Sequence, residues 1–345
     1  MSFTIVEETT PRLNRSELSV PAISTRFLER AATSPADIVM LDLEDSVAPD
    51  DKAAARKNVI EALNDLDWGG RTVSLRINGL DTPYMYRDVI DVVEQAGAHL
   101  DLIMVPKVGT AADVYAVDML ITQIEQAKGL RKRIGLEIQI ATALGMQNIG
   151  EIAAASRRAE SLHFGSGDYA ASTGARTTVI GGSDPNYHTL TDPDEHGARE
   201  RHWGDAWHYP SSQIVVAARA NGLRPIDGPY ANIADAEGFQ SLALRAASLG
   251  FEGKWAIHPS QIPAANDLFS PSKDEITRAR RILVAMREAE REGRAAVTLD
   301  GRMIDIASLR QAEVMVRKAR LIKSRSKGGG RSASKRKPSA RKAKA

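Results

Sequence analysis

A (β/α)₈ TIM barrel, an α/β fold, with a C-terminal helical extension is the fold class this sequence predicts, and three observations predict it. Short apolar runs of strand length alternate with longer helix-like segments, the pattern of parallel strands joined by helical crossovers. Eight such runs fall within about 250 residues, the length of a closed barrel. Ionisable residues collect just after six of the runs, where a barrel carries its chemistry. An open doubly wound sheet is the alternative.

In chain order, residues 1–14 read as an irregular lead-in, and 15–265 as the barrel. The strand-like runs are Glu17–Pro21, Ile38–Leu43, Thr72–Ile77, Leu102–Pro106, Ile134–Ile140, Leu162–Gly165, Arg224–Ile226 and Lys254–His258. Helix-like segments between them include Pro49–Leu66, Thr82–Gly97, Ala111–Lys128, Gln147–Arg158 and Ile233–Leu249. Residues 173–210, rich in Gly, Asp, His and Trp, are too long for an ordinary βα loop and read as an insertion. Its four histidines, His188, His196, His202 and His208, have no tight metal-ligand spacing. Residues 266–322 read as a helical extension, and Ser272 and Glu275 have the spacing of a capping box at its start. From Lys323 to residue 345 the chain is basic and lacks large apolar side chains, so a disordered tail is expected, with non-specific polyanion contact as its sharper reading.

The 345 residues contain no cysteine, which excludes disulfides, thiolate metal sites and thiol catalysis. The N-terminus is too polar for a secretory signal, and no run reaches the length of a membrane span. A soluble cytoplasmic protein is the expectation. Ten Lys or Arg lie from Lys323 onward, which leaves 36 basic against 44 acidic residues in the body. The basic pI therefore owes much to the tail and does not mark a nucleic-acid-binding fold.

The residues after the strands suggest a chemistry. The second run ends in Asp42, Glu44 and Asp45, the third in Arg76, the fourth in Lys107, the sixth in Asp168, the seventh in Asp227 and the eighth in His258. Carboxylates that hold Mg²⁺ can polarise a carbonyl. An arginine beside them can grip a carboxylate or stabilise an enolate.

Seven separated blocks carry a resemblance: LDLEDSVAPDDKAAAR, LRINGLDTPYMYRDV, IMVPKVGTAADVYAVD, FGSGDYAAS, LRPIDGP, GFEGKWAIHPSQI and GRMIDIASLRQAE. Together they resemble the malyl-CoA lyases of the citrate-lyase β-subunit-like group, over roughly residues 11–322. The resemblance implies trimeric or hexameric (β/α)₈ barrels that use Mg²⁺ or Mn²⁺. Such enzymes cleave malyl-CoA, and often β-methylmalyl-CoA, to glyoxylate plus acetyl-CoA or propionyl-CoA. A malyl-CoA thioesterase, or a silent subunit that binds CoA esters, is the alternative.

By the same resemblance, Arg76 stabilises the thioester enolate, although an ion pair with Asp45 would also explain it. Asp168 is a metal ligand, or a turn residue capping the next helix, and Gly167 offers backbone to the substrate carboxylate. Asp305 is the catalytic acid/base delivered into an adjacent subunit, or an N-cap of the last helix. CoA contacts are expected from Ser19, Ser24, Arg30, Ile257 and His258, the last of which could equally be a core histidine. The first loop departs from the pattern. Ala22 replaces a glycine, Ser24 stands where a basic residue is usual with Arg26 close by, and Arg30 replaces a lysine.

The larger departure is Ala141, which stands where the family carries a second metal-ligating glutamate. Glu137 and Gln139 share the strand parity of residue 141, but Glu137 lies about 13 Å deeper, too far to substitute. Glu44 and Asp45, from another strand end, are the expected supports for the metal.

Overall fold

The computed structural model describes residues 6–177 and 179–332. The chain divides into two compact units, the first ending at Phe269 and the second beginning at Ser270. In the first unit eight parallel strands close into a barrel in the order β1-β10-β9-β6-β5-β4-β3-β2. They are β1 (Ser16–Pro21), β2 (Ile38–Asp42), β3 (Thr72–Arg76), β4 (Leu102–Val105), β5 (Gly135–Ile140), β6 (Ala159–Phe164), β9 (Arg224–Asp227) and β10 (Gly253–Ala256). Strands β7 (His188–Leu190) and β8 (Arg201–Trp203) pair as a hairpin between the helices Ser166–Thr173 and His208–Ala220. This hairpin occupies the stretch expected as an insertion.

The strands are buried on both faces, so they read as nearly continuous apolar runs rather than as alternation. Outward-facing Val39, Leu41, Leu75, Ile103 and Ile138 pack under the helices in the main core. The inward layer differs. Met40, Met104, Ile226 and Trp255 form a small apolar cluster of their own. Around it stand Glu17, Ser74, Glu137, Ser161 and His163, all fully buried. A barrel interior is ordinarily filled by branched apolar side chains, so this polar layer requires an explanation. It coincides with a register shift between β5 and β6, where Leu136 faces Ala159 and Glu137 faces Ser161. Glu160 is thereby passed over, and its carboxylate binds Arg12 at 2.7 Å and Arg224 at 3.0 Å.

Helix Ala111–Lys128 opens on a capping box between Thr110 and Asp113 and closes at Gly129, whose φ of 62° suits glycine. It supplies Asp118 and Glu125 to Arg158, both at 2.6 Å. Arg158 is buried and also donates to the carbonyl of Ile134. Arg158→Ala would leave Asp118 and Glu125 without this cation, with the Thr122, Ser156 and Ile134 hydrogen bonds left to hold them. The expected loss is roughly 3–5 kcal/mol, readable as a lower melting temperature with an unchanged fold by circular dichroism.

The second unit holds helix Lys273–Arg291, the hairpin of β11 (Val297–Leu299) and β12 (Arg302–Ile304), and a helix from Ile306 to Ser332. The capping box expected from Ser272 and Glu275 is formed, with Ser272 N–H donating to Glu275 at 2.7 Å. Ala279, Ala312 and Val316 form the buried contact between the two helices. The last helix runs ten residues past Ile322, into the basic stretch expected to be disordered; residues 333–345 of that stretch lie outside the described residues.

Candidate active site

The C-terminal ends of β2, β3, β4 and β6 bring the expected charged residues together. Asp42 and Arg76 are register partners on neighbouring strands. Arg76 donates through Nε and Nη2 to the two oxygens of Asp42, at 2.7 and 2.6 Å. Its Nη1 lies 2.7 Å from Glu44. This corrects the expected pair: Arg76 binds Asp42 and Glu44, while Asp45 binds Lys107. A parallel register puts the last residue of β2 beside Arg76, and Asp45 has already turned away into the loop. Burial opposes the Arg76 charge, but Asp42, Glu44 and Asp45 hold its pKa above the ordinary value. Burial likewise works against ionised Asp42, yet Arg76 keeps that carboxyl below the usual carboxylate range.

Lys107 is the hub of the mouth. Its Nζ lies 2.9 Å from Glu44, 2.9 Å from Asp45 and 3.6 Å from Asp168. It follows Pro106 after β4 with a φ of 50°, the left-handed region that a non-glycine residue rarely adopts. Strain of this kind concentrates at functional sites. Burial opposes the ammonium charge, but the three carboxylates raise its pKa. Burial pushes Glu44 and Asp168 up, against the pull of Arg76 and Lys107. Sequence reasoning placed Lys107 at a strand end but gave it no role.

Asp168 lies in the first turn of helix Ser166–Thr173, beside Gly167, and is about one-third exposed. Ala141 is fully buried at the end of β5. Gly165 N–H donates to the carbonyl of Ile140 at 3.0 Å, which ties the ends of β5 and β6 together. A Cβ on Gly165 would meet the Ala141 methyl at 2.5 Å and Gln139 at 3.0 Å, so glycine is required there. Within this crowded corner Gln139 Oε1 and Ser166 Oγ are buried with no hydrogen-bond partner among the described residues.

These residues fit a hard divalent cation in charge and donor type. Four carboxylates (Asp42, Glu44, Asp45, Asp168) face two cations (Arg76, Lys107), and oxygen donors suit Mg²⁺. Asp42, Glu44 and Asp45 are committed to Arg76 and Lys107. Asp168, held among the described residues by a 3.6 Å contact to Lys107, is the carboxylate most available to an ion. Glu137 is engaged inside the barrel, where it accepts from Ser74 at 2.5 Å.

The remaining candidates are dispersed. Ser19 is half-buried on β1, and Ser24 holds the N-cap position of helix Thr25–Ala32 with no side-chain cap bond. Arg26 and Arg30 are exposed on that helix. Ala22 is buried, its N–H on the carbonyl of Asp42 at 3.0 Å. Ile257 N–H donates to Gln261 at 2.9 Å. His258 is exposed, with Nδ1 at 2.8 Å from Ser260, so the core-histidine alternative is corrected. It sits one residue beyond the β10–Ile257 segment, in the turn, where solvent reaches it. Asp227 is taken by Lys254 at 2.6 Å. In the second unit Asp305 caps its helix, accepting from the N–H groups of Ala307 and Ser308 at 3.0 and 3.1 Å. The Ser308 N–H, with the other bonds of this cap, holds Asp305 below its ordinary pKa.

Below the mouth lies a group that sequence reasoning missed. Ligand atoms of Glu17, Glu137 and His163 lie within 4.8 Å of one another, a spacing open to a cation. The signal was available as isolated Glu and His residues inside otherwise apolar strands. Only the closed barrel shows that they converge.

Residues 15–259 match the HpcH/HpaI aldolase/citrate lyase family. The chain is 51% identical over 322 residues to the L-malyl-CoA/β-methylmalyl-CoA lyase of Cereibacter sphaeroides, covering 93% of this chain and 99% of that one. Among solved structures it resembles CitE from Mycobacterium tuberculosis in complex with magnesium, acetoacetate and coenzyme A. That likeness is at 30% identity and a TM-score of 0.65, covering 88% of this chain and 97% of that one. A citrate lyase from Burkholderia xenovorans shares the fold at a TM-score of 0.76 and 21% identity, covering 93% and 95%. Among the described residues no helix is long and apolar enough to cross a membrane. By the family match and the identity across nearly its whole length, the chain belongs to the HpcH/HpaI aldolase/citrate lyase family of carbon–carbon lyases.

Proposed function

We propose that this chain is a Mg²⁺- or Mn²⁺-dependent lyase of CoA thioesters. It cleaves (S)-malyl-CoA and β-methylmalyl-CoA reversibly to glyoxylate plus acetyl-CoA or propionyl-CoA. The observation that carries the reading is the 51% identity, over 93% of the chain, to a protein named for that activity.

Asp168 would hold the ion, with Glu44 and Asp45 in support, and the ion supplies Lewis-acid polarisation of the oxo-acid carbonyl. The chain's own residues do the rest. Arg76 spends two N–H groups on Asp42, and its Nη1 forms an ion pair with Glu44 at 2.7 Å. The N–H groups left on its terminal nitrogens would meet the enolate oxygen of the thioester. Gly167, in the first turn of its helix, offers backbone N–H to the substrate carboxylate. Ser19, Ser24, Arg30, Ile257 and His258 bind the CoA portion, with Ser24 at a helix N-terminus suited to phosphate.

Asp305, ionised by its cap bonds, takes and returns the acetyl methyl proton in a neighbouring subunit of a homotrimer or homohexamer. A cysteine-free chain of this kind suits the cytoplasm. The basic stretch from Lys323 would contact polyanions without specificity.

Purified protein incubated with malyl-CoA and Mg²⁺ is expected to release glyoxylate. Asp305→Asn should slow release by roughly 10²–10⁴-fold, the worth of a positioned acid/base. Mixing Asp305→Asn with Arg76→Ala protomers should restore part of the turnover, because only a shared site lets one intact Asp305 meet one intact Arg76. Ala141 favours a second reading, in which the site no longer cleaves carbon–carbon bonds. Free CoA and malate without glyoxylate would mean thioester hydrolysis. Binding of acetyl-CoA with no product at any Mg²⁺ or Mn²⁺ concentration would mean a silent subunit.

A further inference from the structure

The polar layer inside the barrel has a direction. Trp255 Nε1 lies 2.8 Å from His163 Nδ1. An indole N–H only donates, so Nδ1 must be the accepting nitrogen and the imidazole proton sits on Nε2. Nε2 in turn lies 2.8 Å from Ser161 Oγ and 3.4 Å from Glu137 Oε1. Both ring nitrogens are thereby committed, and His163 is a neutral Nε2–H tautomer. A cation on Nε2 would displace that proton to Nδ1, against the indole N–H. The ring therefore does not serve as a metal ligand while Trp255 is in place. Glu137, with hydrogen bonds from Ser74 and Ser161 besides, anchors the ring from below.

The other end of the relay is the active site. The Trp255 ring, edge-on to His163 at 6.0 Å, lies 5.5 Å from the Arg76 guanidinium carbon. Asp42 and Glu44 hold Arg76 from one side, and the indole lies under it. A guanidinium over an aromatic face gains stabilisation and loses freedom to tilt. We propose that His163, a residue with no assigned role, is a positioning residue. Its tautomer fixes the rotation of Trp255, and Trp255 fixes the plane of Arg76 at the barrel mouth. This rests on the reading of Arg76 as the enolate-binding arginine. It explains why His163, Ser74, Ser161 and Glu137 occupy a barrel layer that apolar side chains would fill more cheaply.

The test compares His163→Asn, whose amide oxygen can accept near the Nδ1 position, with His163→Leu, which accepts nothing. The Trp255 indole N–H resonance, assigned by its loss in Trp255→Phe, gives a readout independent of turnover. In His163→Leu the indole resonance should move to that of an unbonded N–H. Its kcat should fall by about tenfold to a hundredfold, the scale of an ångström-sized misplacement, with KM for malyl-CoA nearly unchanged. His163→Asn should keep the resonance position and most of kcat, at a melting temperature no higher than that of the Leu variant. Equal kcat in the two variants, or an indole resonance indifferent to His163→Leu, overturns the proposal. If His163→Leu does not fold, Trp255→Phe decides on kcat: it keeps a ring under Arg76 but frees the rotation, and unchanged kcat and KM overturn the proposal. No glyoxylate from the parent chain would instead sink the functional reading, while the indole resonance still decides whether His163 holds Trp255.

Discussion

Ala141→Glu should tighten Mg²⁺ binding and raise the rate of glyoxylate release together. Residue 141 directly follows β5, in step with Glu137 and Gln139, and its methyl lies against Gly165. Gly165 starts the turn that carries Asp168, so a carboxylate at 141 would share the corner with Asp168. Mg²⁺ sites commonly rest on one or two carboxylates, so a second one changes the site in kind. The Mg²⁺ concentration at half-maximal activity should fall on the order of tenfold to a hundredfold, the scale on which ligand charge tunes divalent sites. A readout without turnover follows from linkage. The variant brings a fifth carboxylate to a mouth that holds two cations, so its metal-free form should melt lower and its Mg²⁺-induced rise in melting temperature should be larger. Calorimetric titration that finds equal Mg²⁺ affinity in parent and variant would show that residue 141 does not limit the metal site.

The barrel was legible because its signals are local. Each strand is a short apolar run and each helix a periodic segment, and eight repeats leave few topologies open. Asp42, Glu44, Asp45, Arg76, Lys107 and Asp168 were legible as strand-end residues for the same reason. Who pairs with whom was not, because register is a relation between strands. Asp42 meets Arg76 by lying level with it across the β2–β3 pair, and that alignment is not written in either segment alone. The relay through His163 was hidden more deeply. Glu137, Ser161, His163, Trp255 and Arg76 come from four strands. The register shift beside Glu137, which turns Ser161 towards it, leaves no local mark in the residues. Asp305 shows the reverse case. Its cap geometry was legible from one segment, whereas its proposed chemistry depends on a second copy of the chain.

Arg76→Ala is expected to have a large effect on catalysis, and to damage the fold in a way that pH can separate. In the proposed mechanism the arginine supplies the N–H groups that meet the enolate, and loss of one such donor typically costs 10²–10³ in kcat. Arg76→Lys should recover little, because an ammonium cannot hold both oxygens of Asp42, reach Glu44 and still present a planar edge. The stability cost arises at Asp42, which is fully buried and whose charge is balanced by Arg76. Removing one partner of a buried pair costs roughly 3–5 kcal/mol, since the other charge stays behind. The sign with pH follows from the shift. In the parent, Asp42 is held below its ordinary value, so its contribution is fully present above the unfolded pKa and is lost as pH falls through the folded one. In Arg76→Ala the same carboxyl is buried without a cation, so its pKa rises and the ionised form now opposes folding at neutral pH. Acidification then relieves the variant before it harms the parent, and the gap in melting temperature should narrow from pH 7 towards pH 5. Turnover should not recover over that range, because protonating Asp42 does not replace the lost donors. A gap that stays constant with pH would mean that Asp42 does not depend on Arg76 for its charge. A kcat within about threefold of the parent would remove Arg76 from the proposed mechanism altogether.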